Sequence, residues 1–359
     1  MKKSSHFAIK HFELIRIAAA VLIGFALALV FLLFVSKDPM NAIRTFILGP
    51  FQSTRRFFNI IELAIPLLFT SLGMCFMLRA GEFNLIVEGG FMLSGAITAW
   101  LASTVLPADF PPVLFPAVCI LAGAVVGGIC GAIPALLNIK WNANVVVVTI
   151  MLNYVLTYAS TYVLRYWMRD NTVTYLGSNR IAANAKLPVL LRGTDLHAGI
   201  FIVILAAIFT WWFMNRTTKG FEIKVTGQNR SFAKYIGINV ASAMLLAQII
   251  GGALGGIGGA VEILGKYDRF LWTAQTGYGF SGLMITVLAR NNPIAIPFVT
   301  LLFAYLQIGA NIVGTTTDVP SEFVMVIQAI IILLVAATLF LDSFRKRAVV
   351  RLAQQNKEV

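Results

Sequence analysis

The chain has 359 residues, 58% hydrophobic and 12% charged, with a formal net charge of +13 and a mean hydropathy of +0.84. So few charges could not keep a soluble protein of this length wet, which excludes a water-soluble fold. No basic patch interleaved with aromatics sits on a soluble domain, so the positive charge does not mark a nucleic-acid binder.

Ten apolar stretches are long enough, or nearly so, to cross a hydrocarbon core that takes about 20 apolar residues. In chain order they are Ile17–Val35, Phe58–Leu78, Val87–Leu106, Val113–Leu137, Val145–Trp167, Ala198–Met214, Val240–Leu264, Phe280–Leu288, Ile294–Val313 and Phe323–Leu341. The eighth is short and flanked by glycines, so it is read as tilted or partly inserted. The first stretch is too long for a cleavable signal and no small-residue cleavage site precedes Lys37-Asp38-Pro39, so it reads as a retained span. The expectation is an all-α polytopic membrane protein of about ten transmembrane helices.

Lys and Arg placement orients them. With the N-terminus inside, 17 of the 28 basic residues fall on the inner side, including Lys2, Lys3, Lys10 and Arg16 at the start and Arg345, Lys346, Arg347, Arg351 and Lys357 at the end. The excess of inner basic charge predicts both termini in the cytoplasm. The expected organisation is a cytoplasmic N-terminus (1–16), a transmembrane permease domain (17–341) holding an inner loop (215–239), and a cytoplasmic tail (342–359). The segments 37–57 and 165–197 are expected outside.

Catalytic patterns are not found. His6, His11 and His197 have no second metal ligand close in sequence, and Cys75, Cys119 and Cys130 all fall within spans, where a thiol acts as a small apolar group. The stretch Ala260–Tyr267 approaches a phosphate-binding loop but has Ala260 for the first glycine and Tyr267 for the magnesium-binding hydroxyl. No cofactor is expected in this chain. Polar residues inside the spans, Glu62, Glu88, Asn153, Gln248, Gln307, Asn311 and Gln328, instead point to a transport path, the alternatives being interhelical hydrogen bonds for the amides and interfacial carboxylates near a membrane surface for Glu62 and Glu88. Gly123, Gly127 and Gly131 in the fourth span, and Gly251, Gly255 and Gly259 in the seventh, form small-residue faces that let helices approach closely. The two spans run in opposite directions, as an inverted repeat would require, but glycine-rich helices are common in membranes and chance similarity is the favoured reading.

The inner loop carries Arg216, Lys219, Lys224, Arg230 and Lys234 against a single acid, Glu222. Gly227-Gln228-Asn229 reads as a turn and Ser231–Tyr235 as a short helix capped by Asn229 or Ser231, with Gly237 as its stop. Such a helix would suit the docking of a soluble partner, the other reading being a solvated loop held inside by its charges.

Five blocks then resemble the permease subunit of an ABC importer, in the branch for simple sugars and nucleosides. They are Ala80–Gly89 (Ala-Gly-Glu-Phe-Asn-Leu-Ile-Val-Glu-Gly), Thr149–Tyr154, Leu196–Gly199, Gly227–Ile238, and Gly277–Gly282 with Leu288–Pro293. The second and third are closer to nucleoside permeases, whereas Ile86 and Gly90 depart from the common pattern. The resemblance implies a type II-like permease that pairs with a copy or homologue. Two cytoplasmic ATPase subunits using ATP-Mg would drive it, and an extracytoplasmic binding protein or lipoprotein would supply it. It implies that Glu82, Asn84 and Glu88, at the start of the third span, and Asn153, in the fifth, line the substrate path, and that Ser231–Ile236 is the coupling helix. Asn229, Ser231, Ala233, Lys234 and Ile236 would then meet the ATPase. Nucleoside is the leading cargo, with riboflavin or a simple sugar as alternatives. A secondary transporter would need paired half-helices or acids at the midplane, and an intramembrane enzyme lacks a catalytic constellation.

Overall fold

The computed structural model describes residues 33, 36–107 and 109–319, and they are helical with no strand beyond two isolated bridges. The helices are α1 (Pro39–Leu48), α2 (Thr54–Arg79), α3 (Val87–Trp100, continued by a π turn to Val105), α4 (Leu114–Trp141), α5 (Val145–Trp167), α6 (Gly199–Arg216), α7 (Thr218–Gln228), α8 (Arg230–Tyr235), α9 (Val240–Lys266), α10 (Tyr278–Leu288) and α11 (Ile296–Thr316). Six of them, α2, α4, α5, α6, α9 and α11, are long and apolar enough to cross a membrane. The expected first and last spans, the tails and Gln328 lie outside the described residues, apart from Leu33.

Local chemistry sets the ends. Asn144 caps α5 by accepting from the amides of Val146 and Val147, and Asn239 caps α9 by accepting from Ser242. Asn142 ends α4 in the left-handed region, at φ 50°. Two parts of the sequence reading change. Residues 218–228 form a helix rather than ending in a turn, because Thr217 caps its start and Gly220 lets it pack against the backbone of Phe213 and Met214. The 37–57 segment is not all loop: Asp38 caps the ten-residue α1 by accepting from Asn41.

The chain divides into two compact units. In the unit containing residues 36–56 and 305–319, Asp318 accepts from Ser36 Oγ at 2.7 Å and from the Lys37 amide at 2.6 Å, and Tyr305 donates to the Ile47 carbonyl at 2.7 Å.

The other unit, Phe57–Ala304, is built around α9. One face of α9 meets α4 almost backbone to backbone, since a Cβ on Gly127 would overlap the Gly252 carbonyl and one on Gly123 would strike the Gly256 carbonyl at 3.0 Å. Its other face presents Gly251 to Gly73, Gly255 to Val87 and Gly259 to the Phe91 carbonyl. The 123/127/131 stripe therefore docks on Gly252 and Gly256, while the 251/255/259 stripe takes α2 and α3. Without a solvent-driven hydrophobic effect between helices, such close van der Waals contact is what holds membrane spans together.

Candidate functional site

Two helices of this unit start inside the bundle. Val87, where α3 begins, packs on Gly255, 15 residues past Val240, or about 22 Å along α9 at 1.5 Å per residue. α3 then runs toward the Lys266 end, with Phe91 and Gly95 against Gly259. α10 begins where the Tyr278 carbonyl accepts from Thr70, nine residues before the end of α2, and runs the other way until the Asn291 carbonyl accepts from Arg79 Nε at 2.6 Å. The two half-helices thus meet N-terminus to N-terminus. Each is preceded by non-helical chain, residues 80–86 and 267–277.

Non-helical backbone at this depth must be satisfied by protein groups, and the polar residues singled out by sequence supply them. Asn84 donates to Gln248 Oε1 at 2.6 Å and accepts from the Ile86 amide at 2.8 Å. Thr149 Oγ1 accepts from the Leu85 amide at 3.2 Å. Asn153 donates to the Leu85 carbonyl and accepts from the Gly89 amide, both at 2.9 Å. The Glu88 carboxylate, fully buried in the first turn of α3, receives the amides of Gly277 at 2.7 Å and Gly279 at 2.6 Å and the Thr276 hydroxyl at 3.0 Å. An acidic group among the unpaired amides of a helix start is electrostatically favoured.

Glu82, Asn84, Glu88 and Asn153 are therefore all buried, and each is engaged within the chain. Three of them fasten the half-helix junction. Glu82 sits at the foot of the segment, paired with Arg230 at 2.5 Å, and burial pushes its carboxyl up while that guanidinium opposes the shift. Asn153, expected to face the path, turns its amide to the Leu85 carbonyl and the Gly89 amide, two backbone groups where α3 starts. The exposed face of α5 carries Met151, Tyr154, Tyr158, Tyr162 and Tyr166 instead. The tyrosines recur every fourth residue, a spacing that shows one helical face in the sequence itself.

At the Val240 end, Asn229 caps α8 by accepting from Phe232, and Gly237 ends it at φ 85°. Ser231, Lys234 and Ile236 are exposed, whereas Ala233 is fully buried against the bundle. Phe232 and Tyr235, the latter 90% exposed, stand out beside them. A groove of about 730 Å³ runs next to this helix, lined by Asn138, Asn142, Arg230, Lys234 and Asn239 among others.

At the Lys266 end the fold gathers residues that sequence separation had hidden. His197, expected to have no partner ligand, lies with Glu62 and Glu262, their ligating atoms within 4.8 Å of one another. Lys266 Nζ stands 2.9 Å from Glu62 and 3.8 Å from Glu262, and the Tyr278 hydroxyl donates to Glu262 at 3.3 Å. Burial, aided by Lys266, brings the His197 imidazole down to about 4. In the loops nearby, Asp170 pairs with Arg269 at 2.5 Å; hydrogen bonds from Thr172 and then from Arg269 hold its carboxyl at about 2.

Comparison with known proteins identifies the family. The chain matches the family described as branched-chain amino acid transport system / permease component over residues 56–336. A guanosine ABC transporter permease protein of Bacillus subtilis is 31% identical over 76% of this chain and 78% of its own length. A nucleoside ABC transporter permease protein of Lactococcus lactis is 30% identical over 92% of each chain. A glucose ABC transporter permease protein of Haloferax volcanii is 30% identical over 90% of this chain and 87% of its own. No solved structure matches.

Proposed function

The chain belongs to the family of branched-chain amino acid transport system permease components and is a multi-pass membrane ABC transporter permease, and on that premise we propose that it imports a nucleoside. The observation that carries this reading is the tyrosine face of α5. The exposed faces of α4 (Leu121, Val125, Ile129) and α6 (Phe201, Ile204, Leu205, Ile208) are aliphatic or phenyl along their middles, with Trp141 and Trp212 exposed only near their C-terminal ends, as lipid contact requires. Four phenol hydroxyls among acyl chains would lack partners. Their face, about 18 Å long from Tyr154 to Tyr166, suits a wet path in which rings stack on a heterocyclic base and hydroxyls bind the ribose. Two relatives of this chain are named for guanosine or nucleoside transport.

The path forms between this permease and a second one, a copy or a homologue. Glu82, Asn84, Glu88 and Asn153 stiffen its wall from behind. The Val240 end faces the cytoplasm, in keeping with the excess of basic residues there, and the exposed face of α8 docks on an ATPase subunit that binds ATP-Mg. A binding protein or lipoprotein delivers cargo at the Lys266 end.

The relative named for glucose supports a second reading, a simple sugar, whose apolar ring face also stacks on tyrosine. Uptake of radiolabelled guanosine in competition with other nucleosides, glucose and riboflavin separates them. Nucleosides should compete and glucose should not; competition by glucose alone reverses the assignment.

A further inference from the structure

The cluster at the Lys266 end has one negative charge too many. Glu62 from α2 and Glu262 from α9 are 3% and 0% exposed, and Lys266 is the one cation that the described residues bring to them. The other groups facing the pair are Tyr267 at the end of α9, Tyr278 from α10, and His197 and Asp195 from the segment before α6. Asp195 adds further negative potential. Tyr278 is neutral and gives its proton to a hydrogen bond with Glu262 Oε1.

His197 does not balance the charge. Its Nδ1 accepts from the Gly199 amide at 3.2 Å, so the ring proton sits on Nε2. A second proton, on Nδ1, would break that bond. The ring is also wedged against Gly199 and Gly265, where any added Cβ would overlap it, so it has no room to turn over. The same tautomer disfavours a metal ion, which needs a bare nitrogen at Nε2, and Lys266 already stands where a cation would sit. Nε2 of His197 and Oε2 of Glu262 are both buried without a hydrogen-bond partner. Two ionised carboxylates facing one ammonium out of water would be strongly unfavourable, whereas a carboxylate pair that shares a proton is a familiar resolution.

We propose that Glu62 and Glu262 form a proton-binding site that holds one proton between them, with Lys266 balancing the remaining charge. Lys266 is 31% exposed, so the site communicates with the surface at this end. The cluster joins α2, α9, α10 and the lead into α6, so loss of the proton sets two like charges against one another where these elements meet.

The test counts protons directly in the purified full-length permease in lipid nanodiscs, by the infrared band of the protonated carboxyl group. Wild type at neutral pH should show the band, and it should disappear as pH is raised. Glu262→Gln and Glu62→Gln should each abolish it, since one remaining carboxylate pairs with Lys266 and needs no proton. Lys266→Met should raise it about twofold, because both carboxylates then need one. Should one glutamine variant fail to fold, the other and Lys266→Met report the same count. A wild type without the band, or a band that survives both glutamine variants, overturns the proposal. So does a band that emerges only after chelation, which would make the cluster a metal site. None of these readings depends on the cargo.

Discussion

Gly279 donates its amide proton to the Glu88 carboxylate at 2.6 Å, while its Cα lies so close to the Glu88 backbone that a Cβ would stand 2.6 Å from the Glu88 nitrogen. One contact thus ties the starts of two half-helices that run in opposite directions. Facing half-helices are also what a secondary transporter would use to hold an ion or substrate. Here the chain's own carboxylate receives the α10 amides, so the junction is a fixed joint, and the family assignment agrees.

Removing that carboxylate should loosen the joint. Glu88→Ala strips acceptors from two buried amides, each costing about 1–3 kcal/mol when left unpaired. Glu88→Gln keeps one acceptor and should lose less. Thermal aggregation of the purified permease should rank wild type above Glu88→Gln above Glu88→Ala; equal midpoints would show that the joint contributes nothing.

Asn153 and Tyr158 sit on opposite faces of α5, one 1% and the other 72% exposed. Asn153→Ala should lower folded yield, since it orphans the Leu85 carbonyl and the Gly89 amide. Tyr158→Ala should leave yield unchanged and lower uptake severalfold through loss of a stacking face worth about 0.5–1.5 kcal/mol. Uptake normalised to folded permease distinguishes them. A well-folded but inactive Asn153→Ala would restore that residue to the path.

Much of this architecture was legible in the sequence. Hydropathy alone placed Val145–Trp167 at its observed ends and came within a few residues for α2, α4, α6, α9 and α11. Of the polar residues at the junction, Glu88, Asn153 and Gln248 were visible because an amide or acid in an apolar run is costly, whereas Asn84 was marked only by the resemblance of Ala80–Gly89 to a family block. What sequence could not give was direction. Whether Asn153 points at a cavity or at Gly89 depends on a contact 64 residues away. The half-helix start of α3 was hidden because residues 80–86 look like an ordinary loop until α5 and α9 enclose them. The meeting of Glu62, His197 and Glu262 depends on separations of more than 60 residues, beyond any local spacing rule.

The glycine contacts make a sharp contrast. A Cβ at Gly127 would overlap the Gly252 carbonyl, whereas one at Gly90 would meet Cys130 Cβ at an ordinary 3.6 Å. Gly127→Ala should therefore separate α4 from α9 and cost about 1–3 kcal/mol, as overpacking does. Gly90→Ala should be nearly silent in the same thermal assay. Equal tolerance at both sites would contradict the backbone contact.

The Asp170–Arg269 pair gives a pH dependence with a definite sign. Its folded-state value of about 2 lies below the usual 3.8, so the tie stabilises the loop above that usual value and is lost as pH falls toward about 2. Hydrogen exchange in residues 168–180 should rise across that interval, and Asp170→Asn should show the raised exchange at every pH. Protection that is unchanged by acid would remove the carboxylate from this role.

The last prediction concerns energy coupling. Glu82, at the foot of the half-helix segment, pairs with Arg230, the first residue of α8, and Gly81 lies against the backbone of Gly227. A push on α8 and the adjoining end of α7 would therefore reach the segment leading to α3 through two adjacent contacts. Ala233 anchors α8 in the bundle, so a proline there would damage packing as well as docking; the exposed Tyr235 is the cleaner probe. Tyr235→Ala should weaken co-purification of an ATPase subunit while the permease inserts and folds normally. Glu82→Gln should keep the ATPase bound, since Glu82 is buried behind α8, yet uncouple hydrolysis from uptake. Arg230→Met should reproduce that uncoupling if the pair itself transmits the motion. Full transport in Glu82→Gln would mean the two contacts merely support the helix, and loss of ATPase binding in that variant would move Glu82 from transmission to docking.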